Sequence, residues 1–208
     1  AAPPLLEKRR NWESWQPIGK EDQADMQSMI AGDFPSQWLQ DLAHDDLHIV
    51  NAARDALERA FTADANLGWR QLGLSKHWPH PGALQAGIAW IRTQPTAAIP
   101  SMIKKLATSA EAKNLAALPV TSQRIILRMA MLAQTRWPKD SIKDPTPKHW
   151  QSLRKNLVKQ FPLEDDVANQ MLAELLVYLR ADQLPTLFLY QLHGRSDQQN
   201  QLYYASLL

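Results

Sequence analysis

The sequence predicts an all-α protein, a compact array of about seven to nine short helices. Two observations carry this. Apolar residues recur at helical spacing, with almost no strand-like alternation of β-branched residues. Prolines outnumber glycines, 14 to 7, and fall between those helical stretches, where they end one helix and turn the chain toward the next.

The opening residues 1–20 read as a flexible N-terminal segment, and 21–208 as one helical domain with a subdivision near 119–121. A short helix is expected over 21–31, ended by Gly32. The clearest early helix is read from about Ser36 to Phe61. At 100° per residue, Trp38, Leu42, Ile49, Ala53, Ala56 and Ala60 share one sector, widened by Leu39, Val50, Leu57 and Phe61.

A shorter helix is expected over 63–72, followed by a rigid Pro-containing connection over 76–82. Helices then follow at 83–92 and 101–118, the second bent or broken near Thr108 and Ser109. Thr121 is read as the cap of a helix to Arg136 that buries Ile125, Ile126, Met129, Leu132 and Ala133. Thr146 and Pro147 signpost the next helix, whose buried stripe is Trp150, Leu153, Leu157 and Phe161. Pro162 is read as starting a helix to Ala181 with Glu164, Asp165 and Asp166 in its first turn, where they suit the helix dipole. Residues 184–208 favour two short helices around Gly194, with a small β-hairpin as the alternative. With that hairpin, the last four elements would have the order of a winged-helix end.

The 208 residues carry a net charge of +2, which conceals a polarised layout. Residues 121–162 hold nine basic and two acidic side chains, between acidic ends. With no cysteine, the chain has no disulfide, no thiolate metal site and no thiol nucleophile, which favours a reducing, cytoplasmic setting. Ala1 stands where a methionine would open a chain, so a fragment or a processed product is expected. Residues 1–10 contain no signal-type apolar run, and no apolar run approaches a membrane span.

Catalytic signatures are missing from the sequence. The glycine pairs Gly68/Gly73 and Gly82/Gly87 have the gap of a phosphate loop but lack the Lys and Ser/Thr that follow one. No serine sits in a nucleophile elbow. His44 and His48, four apart, would share a helix face with Asp41, Asp45 and Asp55, making them weak zinc candidates. A solvated polar face, with Arg54 and Arg59 pairing locally, accounts for the same residues. No metal and no cofactor is therefore assigned.

The basic middle is the best functional signal. Lys148, Ser152, Lys155 and Lys159 fall within about 60° on one helix face, opposite Trp150 and Leu157. Arg124 and Arg128 form a second exposed pair on the preceding helix, and Arg154 completes the candidate partner- or anion-binding set. A third helix opening on Glu164, Asp165 and Asp166 would repel phosphates, which argues against a winged-helix DNA reader. Trp12 and Trp15 are candidate aromatic anchors for a partner.

The function expected is a non-enzymatic adaptor or structural subunit that docks an acidic protein partner on this basic surface. The alternative is nucleic-acid binding through 121–162. An enzyme without a recognisable motif comes third.

Overall fold

The computed structural model describes residues 36–63, 80–137, 148–193 and 198–208, and every regular element among them is helical. In chain order these are α1 Ser36–Leu42, α2 Leu47–Ala63, α3 Pro81–Thr93, α4 Ile99–Thr108, the short α5 Ala110–Lys113, α6 Val120–Thr135, α7 Lys148–Val158, α8 Asp166–Tyr178, α9 Leu184–His193 and α10 Gln198–Ser206. Two 3₁₀ turns, Thr96–Ala98 and Leu115–Ala117, lead into α4 and α6. The all-α expectation holds. The helices expected over 21–31 and 63–72 lie outside the described residues, apart from Ala63.

At the centre is α3, which packs on α1, α2 and α6. Nine of its residues are buried, from Gly82 through Ile91, so it is apolar nearly all round. Its closest neighbour sets one side chain to hydrogen: a Cβ on Gly82 would fall 2.1 Å from the Leu39 carbonyl oxygen. Next comes α6, which lies between α3 and α8 and also touches α4. On the far side, α7 packs against α4, α5 and α8. One continuous set of buried residues runs from Trp38 on α1 to Tyr204 on α10, crossing 119–121 without a break.

Several helix limits differ from the expected ones, and side-chain caps set the starts of α2 and α8. The stretch 36–61 is two helices, because Asp46 caps a new start: its Oδ1 accepts the His48 amide at 2.8 Å and its carbonyl accepts from Val50. Ser109 breaks the next segment as expected, its hydroxyl accepting the Ala112 amide. Thr121 is not the cap of α6, which begins one residue earlier behind Pro119. Pro162 does not open α8 either. Asp165 does, accepting the Ala168 amide at 2.8 Å, so Glu164 and Asp165 precede the helix and Asp166 alone lies in its first turn.

The two short helices favoured for 184–208 are α9 and α10, and neither the alternative hairpin nor a wing occurs among the described residues. Phe188 and Tyr204 explain this: both are buried, and with Phe161 they form an aromatic cluster at centroid separations of 5.6 to 6.2 Å. Helical spacing places Leu184 and Phe188 on one face, which alternation in a strand would also do for α9. The choice is made by polar partners. Asn169 donates to the Tyr204 hydroxyl at 2.6 Å while accepting the Leu163 amide, and the Tyr203 hydroxyl donates to Glu174 at 2.8 Å.

Candidate partner-docking surface

The lysine-bearing helix α7 is held firmly from below. Trp150, Leu153 and Leu157 are buried, and Trp150 meets Trp137 edge-on at 5.5 Å. Polar clamps act on its flanks. Asn156 donates to the Ala107 carbonyl, while Gln160 donates to the Ala112 carbonyl and accepts the Ala116 amide. Lys148, Ser152, Lys155 and Lys159 are all exposed on the opposite side. None of the three lysines has an ion-pair partner among the described residues. Lys148 and Lys155 lie on α7 itself, and Lys159 follows in the turn after Val158.

The other members of the basic set are placed differently. Arg124 grips Asp165 with two bonds, Nε to Oδ2 at 2.9 Å and Nη2 to Oδ1 at 2.6 Å. The hydrogen bond from Arg124 holds the Asp165 carboxyl below the usual carboxylate range and raises the guanidinium in turn. Arg154 is tied down as well, donating to the carbonyls of Leu179 and Arg180 at the end of α8. There the last turn closes as a Schellman motif, with Ala181 bonding back to Leu176 and Arg180 to Val177. Arg180 takes the left-handed position, φ 51°.

Arg128 is exposed on α6. Helices α6 and α7 make little direct contact, each packing instead on α4 and α8. The six basic residues read from the sequence therefore divide into three exposed lysines without an ion pair among the described residues, two arginines engaged in packing the fold, and the exposed Arg128.

His44 and His48 do not share a helix face. His44 lies in the break between α1 and α2 with its Nδ1 accepting the Asp46 amide, and His48 is in the first turn of α2. Among the described residues, no three His, Asp or Glu side chains gather into a metal-binding set. His80 caps α3 by accepting the Gly82 amide at 3.2 Å. Trp12 and Trp15 lie outside the described residues.

The sequence reading missed Arg92 and Arg136. Arg92 reaches Glu58 on α2, Nε to Oε1 3.1 Å. Arg136 donates to the carbonyls of Ile91 and Gln94 at the end of α3. No local spacing could have paired these residues, because each contact joins helices roughly 35 to 45 positions apart.

No protein-family model matches the chain, and neither a curated protein nor a solved structure matches it. No helix among the described residues is long and apolar enough to cross a membrane.

Proposed function

We propose that this chain is a non-enzymatic interaction module, an adaptor or structural subunit, that docks an acidic partner on α7. The observation that supports the reading most directly is the row Lys148, Lys155, Lys159. Two of these cations stand on the solvent side of a helix whose other faces are clamped and the third just past its end, and none has an ion-pair partner among the described residues. A fixed helix presents its charges without a large ordering cost on binding. Such a row attracts and orients a negatively charged surface.

A protein is favoured over a nucleic acid as the occupant. Arg124 and Arg154, which would extend the row into a phosphate track, are engaged by Asp165 and by backbone carbonyls. Elsewhere on the surface, α9 and α10 contain no Asp, Glu, Lys or Arg, yet expose Tyr190 at 73% and Leu202 at 67%. Apolar surface of that kind suits protein contact. The absence of cysteine goes with a reducing, cytoplasmic setting for this role.

The test replaces Lys148, Lys155 and Lys159 together by Glu. Binding of a labelled glutamate-rich peptide and of a labelled DNA duplex is followed by fluorescence anisotropy across a salt series. The triple variant should fold normally, since exposed charges contribute little to stability. It should bind the acidic peptide at least about tenfold more weakly, about 1.4 kcal/mol, with a flatter salt dependence. Tight duplex binding with a steep logarithmic salt slope would transfer the reading to nucleic acid. Unchanged peptide binding by the triple variant would end it.

A further inference from the structure

Helices α4 and α7 pack side by side and run in the same direction, as contacts at both ends establish. At one end Arg136 bonds the Gln94 carbonyl, on the connection leading into α4. The next residue, Trp137, packs on Trp150 in the first turn of α7. At the other end Gln160, just past α7, donates to the Ala112 carbonyl and accepts the Ala116 amide. Gln123 closes that end by donating to the carbonyls of Ala116 and Leu118, beyond α4. Between the two ends Asn156 donates to the Ala107 carbonyl at 3.2 Å and sets the register of the pair.

Helical spacing then places the cations. Ser152 lies one turn and Lys148 two turns before Asn156, so both follow the side of α7 nearest α4, with Lys155 on the crest. On α4, Lys104 is one turn before Ala107 and exposed, above the buried Ile103 and Leu106. Seen along two parallel helices with the core below, the Lys104 side of α4 is the one turned to α7. Lys104 therefore stands across the seam from Ser152 and Lys148, with helix axes about 8–10 Å apart.

The seam is cationic from both banks. Neither helix contains an Asp or Glu, and the short α5 beyond α4 adds one of each sign, Glu111 and Lys113. Lys104, like the three lysines opposite, has no ion-pair partner among the described residues. The side chains between the cations, Ser152, Asn156 and Thr108, are polar and uncharged. No large apolar side chain is exposed on α4 or α7; those that are belong to α2, α6, α8, α9, α10 and Leu208. A partner is thus selected here by charge and hydrogen bonding, without an apolar foothold. A nucleic acid would find no exposed aromatic ring to stack on, and Arg154, the one guanidinium of the pair, is held by backbone carbonyls.

We propose that the acidic partner lies along this seam as a segment rich in Asp and Glu and poor in apolar side chains. Lys104 holds it from one bank, and Lys148, Lys155 and Lys159 from the other. This rests on the reading of α7 as the docking helix and extends the surface onto α4.

Fluorescence anisotropy of the intact chain tests this with three labelled probes. They are decaglutamate, a peptide of the same length alternating Glu and Leu, and a single-stranded oligonucleotide of matched charge. Lys104→Glu and Lys104→Gln are compared with Arg59→Glu, which makes the same change of charge on the exposed side of α2, a helix that packs on α1 and α3. Decaglutamate should bind at least about threefold more weakly to Lys104→Glu, the scale of one exposed ion pair turned to repulsion. Lys104→Gln should lose less, and Arg59→Glu should bind nearly as wild type does. The Gln variant keeps the test valid should an acid near the end of α4 lower stability. Equal losses in Lys104→Glu and Arg59→Glu would report net charge alone and overturn the seam. Binding unchanged by Lys104→Glu but lost in the triple lysine variant would also overturn it, leaving the partner on α7 by itself. Failure of decaglutamate to bind the wild type at low salt would end both readings. Tighter binding of the Glu–Leu peptide would refute an apolar-poor partner, and tighter binding of the oligonucleotide would give the seam to nucleic acid instead.

Discussion

Arg124 and Asp165 are joined by two hydrogen bonds, 2.9 and 2.6 Å long, and Asp165 at the same time caps α8 through the Ala168 amide. A single carboxylate thus fastens α6 to the start of α8. The pair also removes Arg124 from the free cationic surface, which is why a charge map drawn from the sequence overstates that surface.

Asp165 should make stability depend on acid. Its carboxyl is held below the usual range, so its contribution is present above about pH 4. That contribution is lost as the pH falls further and the folded carboxyl takes a proton. Asp165→Ala should cost about 1–2 kcal/mol near neutrality through the lost cap. Asp165→Asn keeps a capping side chain and should cost less. Urea melts between neutral and acid pH measure both, and wild-type and Asn profiles of equal slope below pH 4 would contradict the assignment.

Trp150 and Lys155 should respond in opposite ways to truncation. Trp150 is 4% exposed beneath α7 and packs on Trp137, so Trp150→Ala should destabilise by roughly 3–5 kcal/mol. Lys155→Ala should change stability by less than about 0.5 kcal/mol. A pair of denaturant melts decides it. The lysine change proving the more harmful would mean that α7 faces the other way.

Gly82 should tolerate no side chain. The added methyl of Gly82→Ala would fall 2.1 Å from the Leu39 backbone carbonyl oxygen, which cannot turn away as a side chain could, so α1 and α3 must separate. The expected loss is about 3 kcal/mol, at the upper end for overpacking. A variant as stable as wild type in a thermal melt would show that this close approach does not exist.

Arg180→Gly should stabilise the protein. The exposed Arg180 closes the Schellman motif at φ 51°, a conformation that costs a side-chain-bearing residue more than glycine. The gain is held to about 0.5–1 kcal/mol, because glycine also adds freedom to the unfolded chain. Hydrogen exchange at the Ala181 amide, which bonds back to Leu176, should slow with it. Faster exchange together with a lower melting temperature would rule out strain at this position.

The sequence by itself determined the helical class, most of the buried stripe of α7 and α6, the break at Ser109 and the solvent-facing lysines. These follow from local period and from turn chemistry, which a single segment expresses without its neighbours. It did not determine where α2 and α8 begin. Asp46 and Asp165 are two aspartates among several, and each caps its helix only when its side chain folds back on an amide two or three residues ahead. Nor could it decide the helical form of 184–193 and 198–206, which rests on Tyr204 reaching Asn169, or the meeting of Arg92 with Glu58. Those are contacts between residues more than thirty positions apart. Charge and hydrogen bonding act through distance in space, and only the packing of α2 with α3 and of α8 with α10 brings that distance down to a few ångströms.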